Sequence, residues 1–235
     1  MPNCLWCGAR YEEAIRWTRL LAHGRSGFCA RCLEKLEPLT EDLCEVCGRD
    51  LAALDPRYVK GNVCGDCTAW EADPLGGVLK MNRSLYVYNG LMRDIMARFK
   101  FKGDAVLIEG FLDGWRKLYR QHFKGLVPVP VPLSAERLAT RFFNQSERLA
   151  ELLGVPYGDL LRRPRHGEKQ SKKTRRERLA RRDNPFVLAP GAERFRGQGF
   201  VIIDDVYTTG ATVRFAAAAL APLRPARICS MTLAR

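Results

Sequence analysis

Two adjacent carboxylates, Asp204 and Asp205, close a short apolar run, Val201-Ile-Ile203, and precede the small polar string Thr208-Thr-Gly-Ala-Thr212. A β-branched run of this kind reads as a buried strand, and the Ala-rich stretch 213–220 behind the string reads as a helix. Ligands of open α/β sheets bind beyond the carboxyl ends of strands, where Asp204 and Asp205 would emerge. Each carboxylate can accept a hydrogen bond from one of two vicinal hydroxyls. The backbone N–H groups of Thr208, Thr209, Gly210, Ala211 and Thr212, with the helix dipole and threonine hydroxyls, favour a phosphate. Gly210 lets the backbone approach closely. Vicinal hydroxyls beside a phosphate describe a ribose phosphate. Residue by residue, the same features also fit a capped strand end with a solvated acid pair. A receiver-type phosphorylation site fits the threonine loop poorly, and no G-x-x-x-x-G-K-[ST] string occurs.

A second set of reactive residues lies near the other end. Eight of the nine cysteines form four Cys-x-x-Cys pairs: Cys4/Cys7, Cys29/Cys32, Cys44/Cys47 and Cys64/Cys67. Two intervening residues let a tight turn present both sulfurs to one ion, and four thiolates satisfy tetrahedral zinc. The simplest grouping is sequential, Cys4/Cys7 with Cys29/Cys32 and Cys44/Cys47 with Cys64/Cys67, giving two structural zinc sites; a crossed grouping is the alternative. Redox dithiols and an iron–sulfur cluster are the competing chemistries. Gly8, Gly48 and Gly65 follow knuckle cysteines, where a positive backbone dihedral is often needed. A segment this small buries little core, so metal ligation would supply much of its folding energy. The ninth, Cys229, reads as a buried small hydrophobe.

Charge divides the chain in the same place. Residues 1–77 carry 9 Lys+Arg against 12 Asp+Glu, whereas the rest carries 30 against 14. The stretch 162–182 alone holds 11 basic and two acidic residues. Phosphate-rich polyanions are its natural partners, with Lys172, Lys173, Arg175, Arg176 and Arg178 as candidate nucleic-acid contacts; a solvated, self-repelling loop is the other reading. Aromatic side chains for base stacking are sparse in that stretch. The longest nearly apolar run, 215–223, is far shorter than the roughly 20 residues that span a bilayer. With no secretory leader recognisable, the expectation is a cytoplasmic protein without membrane insertion.

The elements that must position these residues follow from periodicity. Composition shifts near Ala72–Gly77, which suggests a cysteine-rich unit over 1–75 and a larger α/β unit over 76–235. In the larger unit, 84–88 reads as a strand. Leu91, Ile95 and Phe99 mark a helix running into Lys100-Phe-Lys-Gly-Asp104, and Phe111, Trp115 and Leu118 mark another. Leu126–Val131 reads as a strand despite its prolines. Asn144 would cap a helix with Leu149, Leu152 and Leu153 inward and Gly154 as its stop. Segments 200–203 and 227–233 complete the strands, and 162–182 is a long excursion between them. Alternating strands and helices predict a mostly parallel sheet with helices on both faces.

The string 201–212 resembles the phosphoribosyl pyrophosphate (PRPP) motif of type I phosphoribosyltransferases. With the four cysteine pairs ahead of it, the chain resembles the ComF family (ComFC-like) of competence proteins. The likeness extends to Lys100–Asp104, to Val127-Pro-Val-Pro130, to Arg141-Phe-Phe-Asn-Gln145, to Gln170, Arg178 and Phe186 in a flexible hood, and to Leu233-Ala-Arg235. It implies a phosphoribosyltransferase-like domain behind a double zinc ribbon. Asp204 and Asp205 would be the catalytic pair, holding the ribose hydroxyls directly or through Mg²⁺, with Lys100, Lys102 and Gly103 near the pyrophosphate. The reaction would displace pyrophosphate at ribose C1, with magnesium and lysines stabilising the departing group. The family further implies DNA uptake and natural transformation, with single-stranded DNA, a competence helicase or other uptake proteins as partners, the last through the ribbons. A PRPP-dependent salvage transferase acting on a small base is the other function such a site admits. Three positions depart from the pattern. Phe142 stands for a glycine, so that loop should run differently or be less tight; Tyr207 stands for an aliphatic residue or arginine; Arg181 stands for a hood asparagine.

Overall fold

A computed structural model of the chain describes residues 1–12, 27–39, 41–101, 103–164 and 184–235. Lys102, Gln170, Lys172, Lys173, Arg175, Arg176, Arg178 and Arg181 lie outside the described residues.

The first elements belong to the cysteine-rich part: α1 (Ala30–Leu33), β1 (Val59–Lys60), β2 (Val63–Cys64) and α2 (Gly65–Glu71). A stretch of turns leads from α2 to β3 (Asn82–Tyr86). Then come α3 (Gly90–Phe101), a 3₁₀ segment Ala105–Phe111, α4 (Leu112–His122), β4 (Val127–Pro130), α5 (Ala135–Arg141) and α6 (Gln145–Leu152). The chain closes with the short strands β5 (Leu161–Arg162) and β6 (Val187–Leu188), then β7 (Phe200–Val206), α7 (Ala211–Leu220) and β8 (Ile228–Ala234).

Four strands form one parallel sheet in the order β3-β8-β7-β4. The apolar strands β7 and β8 take the centre, as a sheet covered on both faces requires. Because side chains alternate along a strand, Val201 and Ile203 enter one core with α3, α4 and α6, and Phe200 and Ile202 enter a second core with α7. The prolines of β4 are tolerated because it is an edge strand: Val127 and Val131 donate inward to Gly199 and Ile203 of β7, at 2.9 and 3.1 Å. Pro128 and Pro130 fall at the alternate positions, where a missing N–H breaks no ladder bond. The excursion carrying the basic residues leaves and returns at the antiparallel β5–β6 pair, Leu161 opposite Leu188 and Arg162 opposite Val187.

The expected elements are present with shifted ends. The first sheet strand starts two residues earlier than periodicity predicts, because Asn82 is buried and bonded to Ser84 and Ser230. Strand β7 runs on to Val206, since Asp204 and Val206 still pair with Thr232 and Ala234. The two aspartates therefore sit within the last stretch of strand pairing rather than beyond it.

The cysteine-rich part is built into both cores. Phe28, Cys29, Cys32 and Leu36 join the α3/α4 side, whereas Cys44, Cys47, Cys64 and Cys67 join the α7 side. Phe28 stacks edge-on against Phe111 with ring centroids 5.0 Å apart. Asn82 donates to the Cys47 carbonyl at 3.1 Å, tying the second group to the sheet.

Candidate functional site

Asp204 is fixed by two donors to its Oδ1: the Ser146 hydroxyl at 3.2 Å and the Asp205 backbone N–H at 3.0 Å. Ser146 sits in the first turn of α6, which is held by its cap and by its packing. Asn144 accepts from the Ser146 N–H at 3.1 Å, and Trp115 Nε1 and Arg116 Nε of α4 reach the Leu149 and Leu152 carbonyls at 2.8 and 2.9 Å. Burial, and next the Asp205 charge, push the Asp204 carboxyl up to about 7. The Asp205 N–H, Lys100 and Ser146 oppose that shift.

Asp205 is paired. Lys100 Nζ, at the end of α3, lies 2.9 Å from each of its carboxylate oxygens, and the two side chains are 20% and 13% exposed. The pair joins motifs 105 residues apart in the chain. Gly103, also expected here, is exposed with φ +68, and the residues after it tighten into the 3₁₀ segment by a bond from Ala105 N–H to Gly103 O. Lys102 lies outside the described residues.

The 208–212 string forms the expected turn into α7. Thr208, Thr209 and Thr212 are exposed, Ala211 is half-buried, and Gly210 is the residue before the helix with φ +80. A Cβ at Gly210 would fall 2.2 Å from Tyr207 Oη and 2.3 Å from Arg214 Nη1. Glycine is thus needed there for its dihedral and for the side chains packed beneath. Those side chains were not legible as site residues. Tyr207 is buried, which raises its hydroxyl to about 12, and Arg214 donates to it at 2.7 Å. Arg214 is fully buried, with its guanidinium 4.5 Å from the Trp70 ring centroid, and Trp70 Nε1 donates to the Thr209 carbonyl at 3.0 Å. Trp70 falls three residues after Cys67 on α2, a proximity that sequence could have flagged only with the partner loop known.

Phe142 corrects an expectation. The chain does not reroute around the missing glycine: Phe142 itself takes the left-handed conformation, φ +65, at the end of α5, and its side chain is 87% exposed. Of the basic stretch, Arg162 pairs with Asp159, and Arg163 lies 5.7 Å over the Phe186 ring. The nucleic-acid candidates lie outside the described residues.

The eight knuckle cysteines gather in the sequential grouping, Cys4, Cys7, Cys29 and Cys32 in one set and Cys44, Cys47, Cys64 and Cys67 in the other, the four sulfurs of each within 4.8 Å of one another. Separations of 3.8 Å for Cys7–Cys29 and 3.5 Å for Cys47–Cys64 are far too long for a disulfide. They suit the edge of a tetrahedron with metal–sulfur bonds of about 2.3 Å. Backbone N–H groups of Cys29 and Cys64 point at Cys4 and Cys44 sulfurs, 3.3 and 3.4 Å away, which favours thiolates. Each group joins a knuckle turn to the start of a short helix. Gly8 and Gly48 take the expected positive φ, but Gly65 does not, because it opens α2.

Comparison with known proteins agrees with both halves. Residues 2–68 match the double zinc ribbon domain family, and residues 135–235 match the phosphoribosyl transferase domain family. The chain is 37% identical to the competence protein ComFC of Bacillus subtilis (strain 168), over 99% of this chain and 94% of the relative. It is 33% identical to the ComFC protein of Streptococcus pneumoniae over 90% of each, and 26% identical to competence protein F of Haemophilus influenzae over 79% of this chain. Among the described residues, no helix is long and apolar enough to cross a membrane.

Proposed function

Because the chain belongs to the ComFC family of competence proteins, we propose that it serves DNA uptake with a PRPP-binding site at the end of β7 and a basic surface for single-stranded DNA. The observation that carries the first part is the Lys100–Asp205 pair, which sets a cation from one motif on the acid pair of another, beside a helix-opening threonine loop. Asp204 and Asp205 accept the two ribose hydroxyls, and the 208–212 loop takes the 5′-phosphate on its N–H groups. Lys100 exchanges Asp205 for the pyrophosphate when the ligand enters, with Lys102 and Gly103 alongside. Carboxylate and phosphate oxygens are the donors Mg²⁺ prefers, and the ion would neutralise pyrophosphate charge. We take residues 1–75 as the double ribbon, which also offers a surface to other uptake proteins such as a helicase, and 76–235 as the ribose-phosphate domain.

Calorimetry with PRPP and Mg²⁺ tests the site: the parent chain binds, and Asp205→Asn, which loses the Lys100 ion pair and the negative charge of a ribose acceptor, binds at least tenfold more weakly. Equal affinity in the two sinks the assignment. For DNA, affinity for a single-stranded oligonucleotide falls steeply between about 50 and 200 mM salt, and charge reversal at Arg175, Arg176 and Arg178 flattens that slope. An unchanged slope removes the basic stretch from the binding surface.

A further inference from the structure

The two cysteine groups each reach one loop of the ribose-phosphate site. Trp6, inside the first knuckle, accepts from Arg98 Nη1 through its carbonyl at 3.2 Å, and the same guanidinium lies 5.0 Å from the Trp6 ring centroid. Arg98 also forms an ion pair with Asp104, the residue that ends the Lys100–Asp104 loop. On the other side, Cys67 and Trp70 share α2. Trp70 holds the Thr209 carbonyl at 3.0 Å and offers its ring to Arg214, whose Nη1 supports Tyr207 directly below Gly210.

We propose that the double ribbon is a positioning device for the ligand site: the first cysteine group holds the Gly103–Asp104 turn after α3 through Trp6 and Arg98, and the second holds the 208–212 loop through Trp70 and Arg214. The proposal rests on the ribose-phosphate reading of 201–212 for its consequence, but not for its mechanics. The physical case is that short helices and knuckle turns of this size have little stability of their own. Closing each four-cysteine group on zinc makes it rigid, and a rigid group can fix a loop that its own few backbone bonds leave free to open. Among the described residues, Thr209 is joined to the rest of the protein by the Trp70 bond from outside its own loop. Trp70, Arg98 and Arg214 are positioning residues here, since they act through Thr209, Asp104 and Tyr207.

The test is hydrogen–deuterium exchange on the full zinc-loaded chain, comparing the parent with Trp70→Phe and Arg98→Met. Trp70→Phe keeps an aromatic ring under Arg214, smaller than the indole, and deletes the N–H donor. Losing one such bond should speed exchange of the 208–212 amides about fivefold while leaving 103–107 unchanged. Arg98→Met should do the reverse, and both variants should retain two zinc ions per chain. Exchange that rises equally at both loops, or at neither, overturns the proposal, because it means general loosening or no coupling. Should Arg98→Met fail to fold, Arg98→Lys, which keeps the charge but cannot bridge Trp6 and Asp104 together, takes its place. PRPP titration with Mg²⁺ on the same proteins then reads the consequence: affinity about fivefold weaker in each variant at constant zinc content. Loosened loops with parent-like affinity refute the positioning role. A parent that binds no PRPP refutes the ribose-phosphate reading, and the exchange pattern still decides the coupling.

Discussion

Asp204→Asn is the most informative single change at the site, because it separates the carboxylate's charge from its shape. The asparagine retains an oxygen to accept from Ser146 and from the Asp205 N–H, at 3.2 and 3.0 Å in the parent. What it removes is a second negative charge beside Asp205, in a position where burial and that neighbour raise the carboxyl from 3.8 to about 7. A group whose folded value lies above its unfolded value adds stability that is complete below about 3.8 and is lost as pH rises to about 7. Above 7 the ligand-free protein carries the full strain of two adjacent carboxylates shared by one lysine. Each pK unit corresponds to about 1.4 kcal/mol, so three units set an upper limit of about 4 kcal/mol. Lys100 offsets part of this. The expected outcome in urea denaturation is that the advantage of Asp204→Asn over the parent widens by on the order of 1–2 kcal/mol between pH 5.5 and pH 8, with zinc content equal at both. A gap that does not change with pH, or an asparagine variant less stable than the parent at pH 8, refutes the reasoning. The same variant should lose its thermal response to PRPP and Mg²⁺, because stability gained by removing the charge is lost as ligand affinity.

Three further outcomes follow from local geometry. Gly210→Ala places a methyl 2.2 Å from Tyr207 Oη at a φ of +80, so a loss of about 2–3 kcal/mol is expected in urea denaturation; a parent-like midpoint would show that the loop yields freely. Phe142→Gly relieves a left-handed phenylalanine whose side chain is almost wholly exposed, and should gain about 0.5–1 kcal/mol by the same measurement. Chelator-driven release should yield two zinc ions per chain in two phases. The first group leaves sooner, because Cys7 is exposed while all four sulfurs of the second group belong to buried residues; release in a single phase argues against independent sites.

Much of this was legible in the sequence because the relevant patterns are local. Strand β7 and its threonine loop lie within thirteen residues, the knuckles declare themselves by spacing, and Asn144 caps α6 as its residue type suggests. What stayed hidden depends on contacts across the chain. The partnership of Lys100 with Asp205 spans 105 residues, and that of Trp70 with Thr209 spans 139. No periodicity encodes either. Strand ends shifted for the same reason: Asn82 and Asp204 belong to strands because of what they pair with, against their propensity, and Val206 follows Asp204. Charge and cysteine spacing mark residues 1–75 as a unit of their own but do not show what that unit packs against. Its packing into both cores follows from Phe28, Leu36 and Leu51, apolar residues too few to make a core alone but sufficient to extend one.

Arg214, buried beneath the threonine loop, and the half-buried Arg235 impose one further requirement. Arg214 has two nitrogens, Nε and Nη2, without a hydrogen-bond partner, and Arg235 likewise has Nε and Nη1. No carboxylate lies within ion-pair distance of either among the described residues. Burying an uncompensated charge costs several kcal/mol, and stacking on Trp70 and Tyr207, at 4.5 and 4.6 Å, returns only about 1–2 kcal/mol each. Zinc bound at the second cysteine group would supply a countercharge. Four thiolates around a dication would leave a net charge of about −2, and Trp70, the ring under Arg214, lies three residues past Cys67 on α2. Arginine and thiolate would then stabilise one another, as partners beyond the ligand shell commonly do for bound metals. Replacing Arg235 with methionine should keep most of the packing and remove the charge, weakening zinc at the second group by on the order of tenfold. The first group serves as the internal control in the same chelator titration. If both groups of the Arg235→Met chain release zinc as the parent does, the arginines are balanced by something other than the thiolates, and the electrostatic link between ribbon and loop fails with that result.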